Sequence, residues 1–117
     1  MNKITLNLGG KDREFHFGIG FIGLFLEQSG IQMSEIDTKI KENPFKLIPE
    51  MMYYSTLFAD KRTGKEVDYD AYDMAEWIDE ADGINGKEVI EFTTAFFQSL
   101  VKDVPTQPEV KKKVTKK

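Results

Sequence analysis

Residues 15–26, Phe-His-Phe-Gly-Ile-Gly-Phe-Ile-Gly-Leu-Phe-Leu, pack more apolar side chain into one stretch than a chain of 117 residues can easily leave in water. Whatever this chain folds into has to cover them. Just before them, Ile4, Leu6 and Leu8 alternate with polar neighbours, and Phe15 and Phe17 flank His16 in the same way. That period of two belongs to strands with one buried face. Gly9-Gly10-Lys11-Asp12 supplies the turn between them. A lone two-stranded hairpin is marginal in water, so this one is expected to lie against helices or to pair with another chain's edge.

The first helix is expected from about Ile19 to Gln28, stopped at Ser29-Gly30, where glycine suits the left-handed position after a helix. At 100° per residue its apolar side chains point nearly all round, which predicts a fully buried helix. A short second helix is expected near Ser34 to Glu42, with Ser34 and Asp37 as a weak capping pair. Asn43-Pro44 reads as the start of a third, with Pro at the first helical position, where its missing N–H costs nothing. It is expected to run to about Asp60 and to be central, because Phe45, Ile48, Met52 and Ala59 cover one side while Leu47, Met51, Tyr54 and Phe58 cover the other.

Asp68 or Asp70 is expected to cap a fourth helix through about Ala81, ended by Gly83. Its inward face draws on Tyr69, Tyr72 or Ala71, Ala75 or Met74, and Ile78, and its outer face is acidic. Asn85 with Glu88 predicts the cap of a fifth helix through about Lys102. Val89, Phe92, Thr93, Phe96 and Leu100 form its stripe, widened by Ile90, Phe97 and Val101 to about half the circumference, more than the roughly 100° of an ordinary surface helix. The whole is a mainly α fold of about five helices with an N-terminal β-hairpin. It forms a single domain over residues 1–104, followed by a disordered basic tail over 105–117, which holds two prolines and five lysines.

Composition narrows the function classes. With no cysteine there is neither a disulfide framework nor thiolate chemistry, which fits a reducing cytoplasm. The apolar run ends at Glu27, well short of the roughly 20 residues that span a bilayer, and the N-terminus lacks the continuous apolar region of a signal peptide. Between Asp60 and Glu91 eleven acids face four basic residues. Such a surface repels a phosphate backbone and argues against nucleic acid as a partner, the lysine tail being the one segment that points the other way.

Candidate chemistry is sparse. His16 is the only histidine, and with no second histidine, no cysteine and no Ser-plus-acid pattern it builds neither a triad nor a zinc site; an exposed strand residue is the better reading. The acids of 68–82 miss the alternating spacing of a calcium loop. Gly18-Ile19-Gly20-Phe21-Ile22-Gly23 matches G-x-G-x-x-G, but that motif needs a parallel βαβ unit, and here a hairpin precedes and helices follow. Its glycines read instead as a tight strand-to-helix turn and a close helix contact. No cofactor is implied. The Met51-Met52-Tyr53-Tyr54 segment and Phe96-Phe97 read first as core, and second as part of a groove for apolar segments, since methionine side chains adapt to varied partners. The candidate partner-binding residues are therefore Met51, Met52, Tyr53, Tyr54, Ile90, Phe97 and Val101.

The order of elements, a hairpin Ile4–Leu8 and Arg13–Phe17, a Gly-spaced apolar helix and acidic helices over roughly residues 3–104 and then a lysine tail, resembles the tail assembly chaperones of long-tailed bacteriophages. The resemblance rests on order and pattern, since that family has no catalytic motif. It implies a non-enzymatic protein of the host cell cytoplasm that binds the tape measure protein, keeps it soluble, promotes tail tube protein assembly around it, and is absent from the mature virion. Self-association is expected as well, from the surplus of apolar helix surface. The alternative is a small adaptor or regulatory domain whose basic tail contacts nucleic acid.

Overall fold

The structure is a computed structural model that describes residues 3–103, with side chains through Leu100; the basic tail over 105–117 lies outside the described residues. Strands β1 (Lys3–Leu8) and β2 (Lys11–His16) pair antiparallel, Leu8 opposite Lys11 and Ile4 opposite Phe15. The turn is only Gly9-Gly10, two residues rather than the four expected, with φ of +65° and +86°. Two positive φ values in succession match the right-handed twist of the strands, and glycine adopts them without a Cβ clash. Gly9 is constrained twice, because a Cβ there would run into the Trp77 ring.

Five α-helices follow: α1 (Ile19–Ser29), α2 (Ile36–Glu42), α3 (Pro44–Thr63), α4 (Ala71–Glu80) and α5 (Lys87–Asp103). Short 3-10 turns precede α2 and α5. The fold is thus mainly α with an N-terminal β-hairpin, as the residue pattern predicts. None of the described helices is long and apolar enough to cross a membrane.

The centre is aromatic. Phe15, Phe17, Phe21, Phe25, Phe92 and Phe96 are all fully buried. The hairpin contributes Phe15 and Phe17, whose rings lie 5.7 and 5.2 Å from that of Phe92 on α5; Phe21 on α1 meets Phe96 edge-on at 5.9 Å. Tilted and edge-to-face pairs of this kind add about 0.5–1.5 kcal/mol each to the apolar area they bury.

Helix α3 is the spine, touching β2, α1, α2 and α4. Both of its predicted sides are used, with Leu47, Ile48, Met51, Met52 and Ala59 buried along with Ser55 and Thr56. Tyr54 and Phe58 are only half-buried, however, and Phe45, expected to be covered beside Ile48, is 77% exposed in the first turn, where no neighbouring element covers it. Pro44 starts it as expected, but Asn43 caps with its backbone carbonyl, which accepts from Lys46 and Leu47, and not with its side chain. The helix continues to Thr63 before Gly64 takes a φ of +77° and Lys65 donates to the Asp60 carbonyl at 2.8 Å.

Four further local expectations need correction. Helix α1 is not buried all round: Phe21, Ile22 and Phe25 face the core while Ile19 is 77% exposed, because the helix packs on α3 from one side. The capping contact before α2 is made by Glu35, whose carboxylate accepts from the Gln32 N–H at 2.9 Å, and not by Ser34 and Asp37. In α4, Asp70 and Asp73 accept from each other's backbone N–H groups at 2.9 Å, and Tyr69, Met74 and Ile78 turn inward, but Tyr72 is 86% exposed and Ala71 and Ala75 lie outside. Helix α5 begins at Lys87 after Gly86, with Asn85 in the preceding 3-10 turn. Gly86 is buried, and a Cβ there would collide with the Ala81 carbonyl. Gly86 is extended, and its carbonyl accepts the first helical bond, from the Ile90 N–H at 3.0 Å.

Candidate functional site

Helix α5 packs mainly along β1 and α3 mainly along β2, although Phe15 of β2 also reaches Phe92 of α5. Where α5 runs beside β1, a groove of about 580 Å3 opens to solvent. Ile4 from the strand and Ile90 and Ala95 from the helix make its apolar surface, with Lys87 and Glu91 on its flank. Ile90 is 52% exposed although it belongs to the apolar arc of α5. The cause is geometric: Val89, Phe92 and Phe96 fill the space under the hairpin, and the arc is wider than the hairpin above it.

Of the candidate partner-binding residues whose side chains are described, Ile90 alone lines this groove. Met51 and Met52 are fully buried in α3 and offer no surface, since β2 and the neighbouring helices cover both sides of that helix. Tyr53 and Tyr54 are half-buried, their rings edge-on at 5.1 Å, and Tyr53 also meets Tyr69 at 6.1 Å. Burial, with smaller contributions from Tyr54 and Asp70, raises the Tyr53 phenol above its usual range. Phe97 is half-buried, its ring 5.2 Å from that of Phe96. The Val101 side chain lies outside the described ones. The structure therefore separates the methionine-tyrosine segment from the α5 flank instead of joining them in one groove.

Ile4 and Arg13 are the residues that sequence reasoning left out. Ile4 was visible as a strand residue, but its place beside Ile90 depends on where α5 docks. Arg13 shares the parity of Phe15 and Phe17, so the period-2 rule assigns it inward; its charge hid it. It is buried, its Nε donates to the Leu8 carbonyl at 2.7 Å, and its guanidinium sits 3.7 Å from the Trp77 ring centroid and 5.4 Å from that of Tyr69. The Tyr69 hydroxyl donates to Asp60 Oδ2 at 2.6 Å; burial and then this bond raise its pKa strongly. A polar cavity of about 440 Å3 opens beside this cluster, between Lys11, Glu14, Lys65 and Asp68.

His16 is not the exposed strand residue expected. It is half-buried, its ring edge meets Phe58 at 6.4 Å, and its backbone carbonyl accepts from Ser55 Oγ at 2.8 Å. Its Nε2 lies 3.2 Å from Glu14 Oε1, and this hydrogen bond holds the Glu14 carboxyl below its ordinary value. The glycine-rich segment follows an antiparallel hairpin: Gly18 precedes α1, and Gly20 lies so close to α3 that a Cβ would strike the Phe58 ring. That is the close helix contact expected of it. Among the described residues no three acidic or histidine side chains converge in a way that would hold a metal ion.

Set against protein-family models, curated proteins and solved structures, the chain matches none of them.

Proposed function

We propose that this protein is a tail assembly chaperone of a long-tailed bacteriophage, acting in the host cytoplasm by binding the tape measure protein, keeping it soluble and promoting assembly of the tail tube protein around it, without catalysis and without remaining in the virion. The observation that carries the reading is the groove beside β1, where Ile90 stays half in water at the edge of an otherwise filled aromatic core. An apolar face of a helical client fits such a groove, in which spaced apolar anchors supply affinity and a polar rim supplies orientation. The reading otherwise rests on the order and pattern of residues by which the sequence resembles that family.

Co-expression with a tape measure protein tests this. The client is expected in the soluble fraction only when this chain is present. Ile90→Asp is expected to lose the client while circular dichroism stays that of the parent, since Ile90 is already half exposed. A client that is equally soluble without this chain overturns the reading, and a client still held by Ile90→Asp removes the groove as its site.

A further inference from the structure

We infer that the β1 edge and the groove beside it form a two-fold interface with a second copy of this chain, joining two hairpins into one four-stranded sheet. The inference goes beyond the client reading and concerns the isolated protein. A two-residue turn makes Leu8 and Lys11 a hydrogen-bonded pair, and antiparallel pairing alternates, so Ile4, Leu6 and Leu8 direct their backbone groups to β2. Those of Lys3, Thr5 and Asn7 then point away from it. These three residues are exposed, and no other hydrogen bond among the described residues takes up their backbone groups. The β2 edge differs: α3 runs along it, and Ser55 Oγ binds the His16 carbonyl. The open edge is therefore on β1, next to the apolar groove.

A second β1 satisfies that edge. Centred on Thr5, antiparallel pairing sets Lys3 of one copy against Asn7 of the other, and no like charges meet along the strands. The same two-fold runs the α5 helices antiparallel below the sheet and brings Ile90 of one copy towards Ile90 of the other. Lys87 and Glu91 flank this groove one helical turn apart, so the symmetry sets each lysine opposite the other copy's glutamate. Such a surface is complementary to itself, which is what an isologous interface requires. One short strand and one helix flank are small beside the roughly 1,600 Å2 of a standard interface, so the dimer is expected to be weak and to depend on concentration.

Sedimentation equilibrium on the full chain over a range from micromolar to about 1 mM tests it, with circular dichroism as the folding control. Thr5→Pro removes an N–H that the hairpin does not use, as proline is tolerated on an edge strand; it is expected to weaken dimerisation about tenfold or more. Lys87→Glu and Glu91→Lys are each expected to weaken it, and the two together to restore it, because the swap regenerates the opposed charges. In hydrogen exchange the Thr5 and Asn7 amides are expected to slow as concentration rises. A chain that stays monomeric to the top of the range overturns the inference. So does a dimer indifferent to Thr5→Pro and to the charge swap, and so does a dimer that forms only after residues 104–117 are removed, which would mean that the tail fills the groove.

Discussion

The Arg13 guanidinium sits over the Trp77 ring at 3.7 Å from its centroid and ties α4 to the hairpin. Among the described residues no carboxylate comes within ion-pair distance of Arg13, so the indole face and the Leu8 carbonyl are what stabilise a cation held largely out of water. A desolvated cation–π contact contributes about 2 kcal/mol, and the hydrogen bond about 1 kcal/mol. Arg13→Ala is expected to lower unfolding free energy by about 3 kcal/mol. Arg13→Lys should recover less than half of that, because a point-charge ammonium does not stack and donate at once. Urea denaturation followed by Trp77 fluorescence, the only tryptophan, measures both. A lysine variant as stable as the parent would show that charge alone matters here.

Gly86→Ala should be among the most damaging single-methyl additions in the chain. The added Cβ meets the Ala81 carbonyl, a backbone atom that no rotamer change can move aside. Overpacking of that kind costs about 1–3 kcal/mol. Gly23→Ala has open space around it and gains helix propensity, so it is expected to stabilise by up to about 1 kcal/mol. Paired thermal melts of the two variants check the contrast.

The Tyr69 phenol keeps its proton at pH values where the unfolded chain loses it. Its folded pKa is raised, so its contribution is fully present below the unfolded value of 10 and is lost as pH rises from there towards the folded one. Stability is expected to fall in alkaline buffer with a steeper slope than in Tyr69→Phe. That variant should itself be about 1 kcal/mol less stable at neutral pH, since Asp60 loses its hydroxyl donor. Denaturation midpoints at pH 8 and above about pH 10 decide this.

Glu14 gives the opposite sign at the acid end. Its folded pKa is lowered from 4.5 by the His16 hydrogen bond, so its contribution is present above that value and is lost as pH falls through the folded one. The group is near the surface, and the contribution is small. The direct measurement is the carboxyl titration by NMR: His16→Ala is expected to return Glu14 towards 4.5, and an unmoved titration would mean that the lysine charges set it instead.

Phe96 and Phe97 are neighbours with different expected outcomes. Phe96 is fully buried among Phe17, Phe21 and Phe92, so Phe96→Asp leaves an unpaired charge in the core and should unfold the domain. Phe97 is half-buried at the flank, and Phe97→Asp should fold with a loss of about 1–3 kcal/mol. Circular dichroism and urea midpoints separate the two.

Periodicity carried most of the architecture. The alternation of Ile4, Leu6 and Leu8 and of Phe15 and Phe17, the proline at the first position of α3 and the aspartate before α4 are local signals, and each produced its element within a few residues because hydrogen-bond geometry and side-chain direction act over one or two turns. What the chain alone left undecided was which apolar residues remain in water. Ile19 and Ile90 are as apolar as Ile22 and Ile78, and only the docking of α1 against α3 and of α5 beneath the hairpin leaves the first two outside. Arg13 shows the same limit from the other side, since its parity pointed inward but a buried cation is tolerable only once Trp77, far along the chain, supplies the ring. Met51 and Met52 read first as core and second as groove, and α3 at the centre of the packing made them core. Burial depends on all the elements together, so tertiary structure decided where the groove lies, while the sequence alone determined the elements that border it.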